Sequence, residues 1–353
     1  MANTKSAGTK TARRAAVKQK PGKRVALSDA ACLREVVHLN DAILNELAKV
    51  IVGQQEVIHL LITALLGDGH CLLVGVPGLA KTLLIASLAR ALDVRYNRIQ
   101  FTPDLMPSDI TGSEIIEEKR GTKAFRFIQG PVFSNIVLAD EINRTPPKTQ
   151  AALLQAMQER HVTYAGNTYP LELPFFVLAT QNPIEQEGTY PLPEAQLDRF
   201  MFNIQISYPD SHDEVQIIRN TACGENDPSA IQPVIQREVL TGLQHFIKNR
   251  YPVADTILEA CVQLIRQTRP ETSDFPFVRE NVSWGAGPRA GAFLVLAAKA
   301  SAALMGKETA DFEDVRRVAC PVLRHRLLPN YQAEAQGVTP DGIIKQLLRE
   351  TCP

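Results

Sequence analysis

Apolar residues recur along this chain in two rhythms, and the alternation of the two predicts the fold. From Ser28-Asp29 onward, Leu33, Val36, Val37, Leu44 and Leu47 follow a three-to-four spacing that predicts a helix. Val50-Ile51-Val52-Gly53-Gln54 interrupts it, and a second helix is expected over 55–66. Short unbroken apolar runs then appear at 71–74, 136–139 and 175–180. Such runs suit strands covered on both faces of a parallel sheet. Residues 96–101 and 199–206 (RFMFNIQI) predict two more strands. Helices are expected between them at 81–92, in a short piece of 103–111, and from Pro146-Pro147 to Arg160, with proline at the first turn. Two stretches alternate about a turn and predict hairpins: 112–127 around Lys119-Arg120-Gly121-Thr122, and 161–173 around Ala165-Gly166-Asn167. Strands alternating with helices predict a three-layer αβα sandwich on a mainly parallel sheet.

After Tyr208-Pro209-Asp210 the pattern changes. Helical spacing dominates at 212–222, 235–249, 254–268, 288–305 and 311–327, with few strand signals. The expected organisation is a tail over 1–28, an α/β core over 29–208 and an all-α domain over 209–353. No internal repeat of 20–50 residues is visible.

Composition narrows the class. At 353 residues, with 45% hydrophobic and 22% charged residues, the chain is long enough for two globular domains. No apolar run nears the roughly 18 residues of a membrane span, so no transmembrane segment is expected. The six cysteines (32, 71, 223, 261, 320 and 352) are scattered without a CxxC pair, and several sit in apolar runs. They predict free thiols in a reducing, cytoplasmic setting. The histidines are dispersed too, with no HExxH or HxH spacing, which argues against a zinc-type catalytic centre. Net charge is zero but uneven. Residues 1–24 hold eight bases and no acid, leaving 30 bases against 38 acids, a net −8, in the rest. The tail lacks an apolar h-region and has almost no large apolar residues, so it is no secretory signal, cannot form a core and is expected to be disordered. It could touch nucleic acid, an acidic partner or a membrane surface, serve as a transit peptide, or only aid solubility.

The chemistry begins at Gly75-Val76-Pro77-Gly78-Leu79-Ala80-Lys81-Thr82, between an expected strand and an expected helix. That context makes it a phosphate-binding loop. Gly75 and Gly78 let backbone N–H groups face a phosphate, and the helix N-terminus adds the positive end of its dipole. Lys81 would neutralise phosphate charge, and the Thr82 hydroxyl would hold Mg²⁺. Ala80 stands where the GxxxxGK[ST] pattern has glycine. As the residue opening the helix it is expected at negative φ, where a methyl group fits. The strand ending in Asp140-Glu141 supplies the second anchor. Asp140 can reach the Mg²⁺ shell, and Glu141 can act as general base on the attacking water. Asn182, after the next strand, offers a neutral amide that can orient that water.

Together these residues resemble the AAA+ ATPases, and within them the MoxR group. The resemblance covers roughly 30–353 through GVPGLAKT (75–82), LADEINR (138–144), PKTQAALLQAMQER (147–160), ATQNP (179–183), EAQLDRF (194–200) and GAGPRA (285–290). Ala80 is usual in that group. The resemblance implies a P-loop NTPase core with a helical lid, and ATP with Mg²⁺ as cofactors. It gives Lys81 and Thr82 the Walker A roles, Asp140 and Glu141 the Walker B roles, and Asn182 the sensor 1 role. Arg199 resembles the arginine finger acting on the neighbouring subunit's nucleotide. Arg289 resembles sensor 2, reaching the γ-phosphate from the lid. Val52-Gly53-Gln54 resembles the segment lining the adenine pocket, and Arg144 is a further candidate to face the neighbour. The two hairpins resemble the helix-2 and pre-sensor-1 inserts.

The resemblance implies a homo-oligomeric ring, expected to be hexameric. It also implies a chaperone-like role in maturation or cofactor insertion, with a von Willebrand factor A domain partner and protein clients. Two other uses stay open: a nucleotide-gated switch, and the motor subunit of a chelatase-like or nucleic-acid-acting complex. The acidic remainder and the lack of an added nucleic-acid-binding fold argue against nucleic acid.

Overall fold

The computed structural model describes residues 28–119, 122–184, 188–222 and 227–351; the basic tail lies outside them, apart from Ser28. Five strands form one wholly parallel sheet: β1 (Cys71–Val74), β2 (Tyr96–Gln100), β5 (Ile136–Asp140), β8 (Phe176–Gln181) and β9 (Phe202–Gln205). Their spatial order is β2-β5-β8-β1-β9. β3 (Gly112–Lys119) with β4 (Thr122–Gln129), and β6 (His161–Tyr164) with β7 (Asn167–Pro170), form the two antiparallel hairpins expected from sequence.

Alternation along each strand sorts the side chains between two layers. Ile136, Leu138 and Leu73 join the cluster that includes α1 (Asp29–Leu47), α2 (Gln55–Leu66) and α3 (Lys81–Ala91). Val137, Ala139 and Leu72 join the cluster on the other face, with α4 (Pro107–Thr111) and α5 (Pro147–Glu159). The continuous apolar runs of the sequence follow from this double burial.

The first cluster does not end with the sheet. It runs on into the helices that follow α6 (Glu194–Leu197) and α7 (Ser211–Ala222): α8 (Arg237–Asn249), α9 (Asp255–Gln267), α11 (Pro288–Leu304), α12 (Phe312–Leu323) and α14 (Pro340–Thr351). Gln244 of α8 donates to the Leu65 carbonyl of α2 at 2.7 Å, within that buried layer. The lid therefore shares its core with α1 and α2. Alongside these helices lie α10 (Pro276–Asn281), α13 (Tyr331–Ala335) and a small ribbon of β10 (Val282–Trp284) with β11 (Leu328–Pro329).

Two local expectations need correction. Residues 199–201 are not part of the last strand, which spans only Phe202–Gln205. The backbone there first makes α6 and a following turn, with Arg199 N–H bonded to Gln196 O and Phe200 N–H to Leu197 O. The alternation of RFMFNIQI begins before the strand because Phe200 and Met201 are buried from the turn. Ala80 has φ +53, not the negative φ expected of a helical residue. It is the cap preceding α3, where the loop reverses direction. A left-handed alanine costs roughly 1–2 kcal/mol relative to the right-handed form. Among the described cysteines, Cys32, Cys71 and Cys261 are buried and Cys320 is partly buried, and none of the four is in a disulfide. Cys223 and Cys352 lie outside the described residues.

Candidate functional site

Parallel pairing brings the ends of β1, β5 and β8 to one edge of the sheet, the carboxyl edge. Gly75, the first loop residue, donates its N–H to Gln181 O of β8 at 3.3 Å. Gly78 has φ +87, and a Cβ there would meet nothing within 4 Å, so the loop opens onto free space. Beside it lies a cleft of about 400 Å³ lined in part by Val52, Pro77, Leu79, Ala80, Tyr208 and Ile217. Its largely apolar wall suits a flat aromatic base. Gln54 ties the two sides by donating to Leu79 O at 3.3 Å. Gly53 (φ +67) packs so closely on α7 that a Cβ would lie 2.2 Å from Asp213 Oδ2. The predicted adenine-pocket and phosphate-loop segments thus share one cleft.

Lys81 starts α3 and folds its Nζ back onto Gly75 O at 2.5 Å. Burial lowers its pKa, while the charges of Asp140 and Glu141 oppose that shift. Thr82 follows in the same first turn, half-buried. Asp140 ends β5. Its Oδ1 accepts from the Thr180 hydroxyl at 2.6 Å, and its Oδ2 accepts from Arg98 at 2.6 Å and 3.0 Å. Thr180 also receives the Glu141 N–H at 2.9 Å. This single buried hydroxyl therefore sets both carboxylate residues. Glu141 itself has φ +56, which turns its side chain out of the strand direction. Its Oε2 accepts from Gln100 Nε2 at 2.9 Å and pairs with Arg144 at 3.1 Å. Asn182, buried just past β8, accepts the Ile184 N–H at 3.1 Å on Oδ1. Thr180, Gln100 and Arg98 were missed from sequence. The roles of Gln100 and Arg98 follow from the register that sets Gln100 opposite Asp140, and that of Thr180 from the pairing of β5 with β8; nothing in the motifs marks these contacts.

Arg199 lies elsewhere. Phe202 pairs with Cys71, so the turn holding Arg199 sits at the amino edge. The four-residue strand between the two edges rises about 13 Å. Arg199 is half-buried, and among the described residues its side chain has no hydrogen-bond or ion-pair partner. Arg289 is the second residue of α11. The preceding segment is clamped: Ala286 N–H bonds Thr268 Oγ1, and Arg269 Nε donates to Ala286 O, both at 2.9 Å. Arg289 NH1 donates to Asp198 Oδ2 at 2.9 Å. The structure thus brings Arg289 beside Arg199 and not to its own chain's phosphate loop.

A glycine-bearing loop on a helix N-terminus, a hydroxyl next to its lysine, and an acidic pair at the adjacent strand end define a P-loop nucleotide hydrolase. Comparison with known proteins sharpens this. Residues 70–202 match the family model described as ATPase family associated with various cellular activities (AAA), and residues 277–347 match the AAA lid domain. The chain is 42% identical over 314 residues to Chaperone MoxR1 of Mycobacterium tuberculosis, covering 89% of this chain and 82% of that protein. It is 30% identical over 331 residues to Protein MoxR of Methylorubrum extorquens, covering 88% and 93% of the two chains. A crystal structure of a candidate ATPase from Cytophaga hutchinsonii superposes with a TM-score of 0.83 at 40% identity, over 90% of this chain and 96% of that one. The chain belongs to the MoxR family of AAA+ ATPases. The parallel sheet and helical C-terminal lid are those of that class, and the protein is a nucleotide-binding ATPase. No described helix is long and apolar enough to cross a membrane.

Proposed function

We propose that this protein is a ring-forming, Mg-ATP-hydrolysing remodeller that acts on protein clients in the manner of a chaperone. The observation that supports it most is the separation of the site between two edges of the sheet. Arg199 and Arg289 stand about a strand length from their own phosphate loop, so a neighbouring chain must bring its loop to them. We read the tail over 1–28, the core over 29–208 and the lid over 209–353 as the working units.

Residues at the carboxyl edge fit the nucleotide and its ion. The open face of Gly78 leaves room for phosphates, and Thr82 and Asp140 offer the hard oxygens that Mg²⁺ takes. Mg²⁺, when bound, supplies charge neutralisation on the transferring phosphoryl group. Lys81 turns from Gly75 O to the phosphates. Asn182 orients the attacking water, and Glu141 accepts its proton. Val52, Gly53 and the 75–80 loop hold the base and phosphates. Arg199 and Arg289 of a neighbouring subunit stabilise developing charge, a contribution of roughly 10³–10⁵ in rate for an arginine supplied in trans. A ring, six-membered by family resemblance, follows from the head-to-tail contact this demands.

Client contact suits the first hairpin. Ile116 and Phe125 pair across its strands yet are 62% and 73% exposed. Mycobacterium tuberculosis MoxR1, a chaperone by name, supports the same reading. We include a von Willebrand factor A domain partner, a role in maturation or cofactor insertion, and a cytoplasmic site of action. The test is a Glu141→Gln protein loaded with ATP and used to capture bound proteins. Retention of folded-domain clients and a von Willebrand-type partner, released when ATP is removed, is expected. Capture that is identical without nucleotide would overturn the remodeller reading.

A further inference from the structure

Among the lid arginines that the hydrolysis scheme does not use, Arg326 is the one whose bonds converge on the turn that carries Arg199. Arg326, just beyond α12, is 6% exposed. Its Nε donates to Asp198 Oδ1 at 2.7 Å. Its NH2 donates to Asp198 O at 2.8 Å and Phe200 O at 2.7 Å, and its NH1 reaches Met201 O at 3.4 Å and also Val322 O. The ring of Phe293 in α11 lies 5.2 Å from the guanidinium carbon. His325 Nε2 lies 3.1 Å from Phe200 O as well. Four of the five acceptors of Arg326 therefore belong to 198–201, on both sides of Arg199. The carboxylate of Asp198 is shared, with Oδ1 on Arg326 and Oδ2 on Arg289. A buried guanidinium is tolerated only with its donors filled, and lysine has neither the planar fork nor the reach to fill them.

We propose that Arg326 is a positioning residue for the half of the active site that a subunit lends to its neighbour. It fixes the 198–201 turn so that the unpartnered Arg199 faces outward. Through Asp198 it ties that presentation to Arg289, so movement of the lid and of the finger are one event. This rests on the reading that Arg199 acts on a neighbouring subunit.

The test mixes variant subunits. Arg326→Lys keeps an intact nucleotide site but lends a poor finger, and Glu141→Gln has a dead site but lends a good one. Arg326→Lys alone is expected to lose about 100-fold in turnover, the scale of a misplaced catalytic group, with nucleotide affinity unchanged. Mixing it with Glu141→Gln should restore turnover several-fold; mixing it with Arg199→Ala should restore none. An Arg199→Ala plus Glu141→Gln mixture calibrates the readout. If that mixture recovers and the Arg326→Lys plus Glu141→Gln mixture does not, Arg326 serves only its own chain and the inference fails. If the calibration mixture stays dead, the trans reading fails and takes the inference with it. Should Arg326→Lys not fold, Asp198→Asn goes through the same mixtures with the same expected pattern.

Discussion

At the carboxyl edge of the sheet, polar groups satisfy one another within the chain. Thr180 binds both Asp140 and Glu141, Gln100 holds Glu141, and Arg98 neutralises Asp140. At the amino edge two arginines, 289 and 326, take the two carboxylate oxygens of Asp198, and the adjacent Arg199 has no such partner among the described residues. One edge is preorganised for its own substrate. The other holds the cationic charge of Arg199 about a strand length from its own phosphate loop. The contrast teaches that a chain can be complete as a fold and half complete as a site. On the proposed reading, coupling between subunits would follow from topology, because strand length keeps the two halves apart.

The largest effect should come from the amino edge. Arg199→Ala is expected to cut turnover by about 10³–10⁵ while leaving nucleotide affinity and the melting temperature nearly unchanged. Equilibrium binding of a fluorescent nucleotide alongside a turnover assay checks this. A parallel loss of binding would place Arg199 at its own chain's site and break the comparison.

Thr180→Val probes the carboxyl edge. It strips the hydroxyl from Asp140 and Glu141 together and leaves a buried N–H unpaired. We expect a stability loss of about 1–3 kcal/mol and a fall in turnover that undamaged neighbours do not rescue, since the defect is internal to one chain. Denaturant unfolding and subunit mixing read the two parts.

Acid should loosen the amino edge first. His70 precedes β1, and its carbonyl accepts the Met201 N–H of the turn that carries Arg199. Its Nδ1 accepts the Val177 N–H at 3.1 Å, while Nε2 faces Met157 O at 3.3 Å. Burial lowers its pKa from 6.5 to about 4. The unfolded chain therefore binds the proton first. The stability held by neutral His70 is full above pH 6.5 and is lost as pH falls towards 4. This group alone should cost about 2 kcal/mol between pH 7 and pH 5. Denaturant midpoints across that window, compared with a His70→Asn protein of flatter slope, test it.

The smallest expected effect is at Ala80. Its left-handed backbone means Ala80→Gly should stabilise by up to about 1 kcal/mol, the relieved strain exceeding the entropy glycine adds to the unfolded chain. A drop in melting temperature would restore the negative-φ reading.

Much of the fold was legible because its signals are local. Buried parallel strands gave unbroken apolar runs, the Ser28 cap marked α1, and proline marked the start of α5. The phosphate loop and Asp140-Glu141 were legible because each lies in one short segment beside a strand end. What escaped was set by register or by long-range contact. Thr180, Gln100 and Arg98 act through pairing between strands distant in sequence. Asp198 and Arg326 are 128 residues apart, and nothing near either marks the other. Ala80 was misjudged because a one-residue shift in where the helix begins reverses the sign of φ. The placement of Arg289 against Asp198 depends on how the lid docks, which no periodicity encodes.

The central claim is that one chain carries two halves of different sites. Turnover per chain, measured across a dilution series while sedimentation reports assembly, tests it most directly. Turnover should rise with the assembled fraction and vanish in the monomer. Constant turnover per chain down to fully monomeric protein would contradict it.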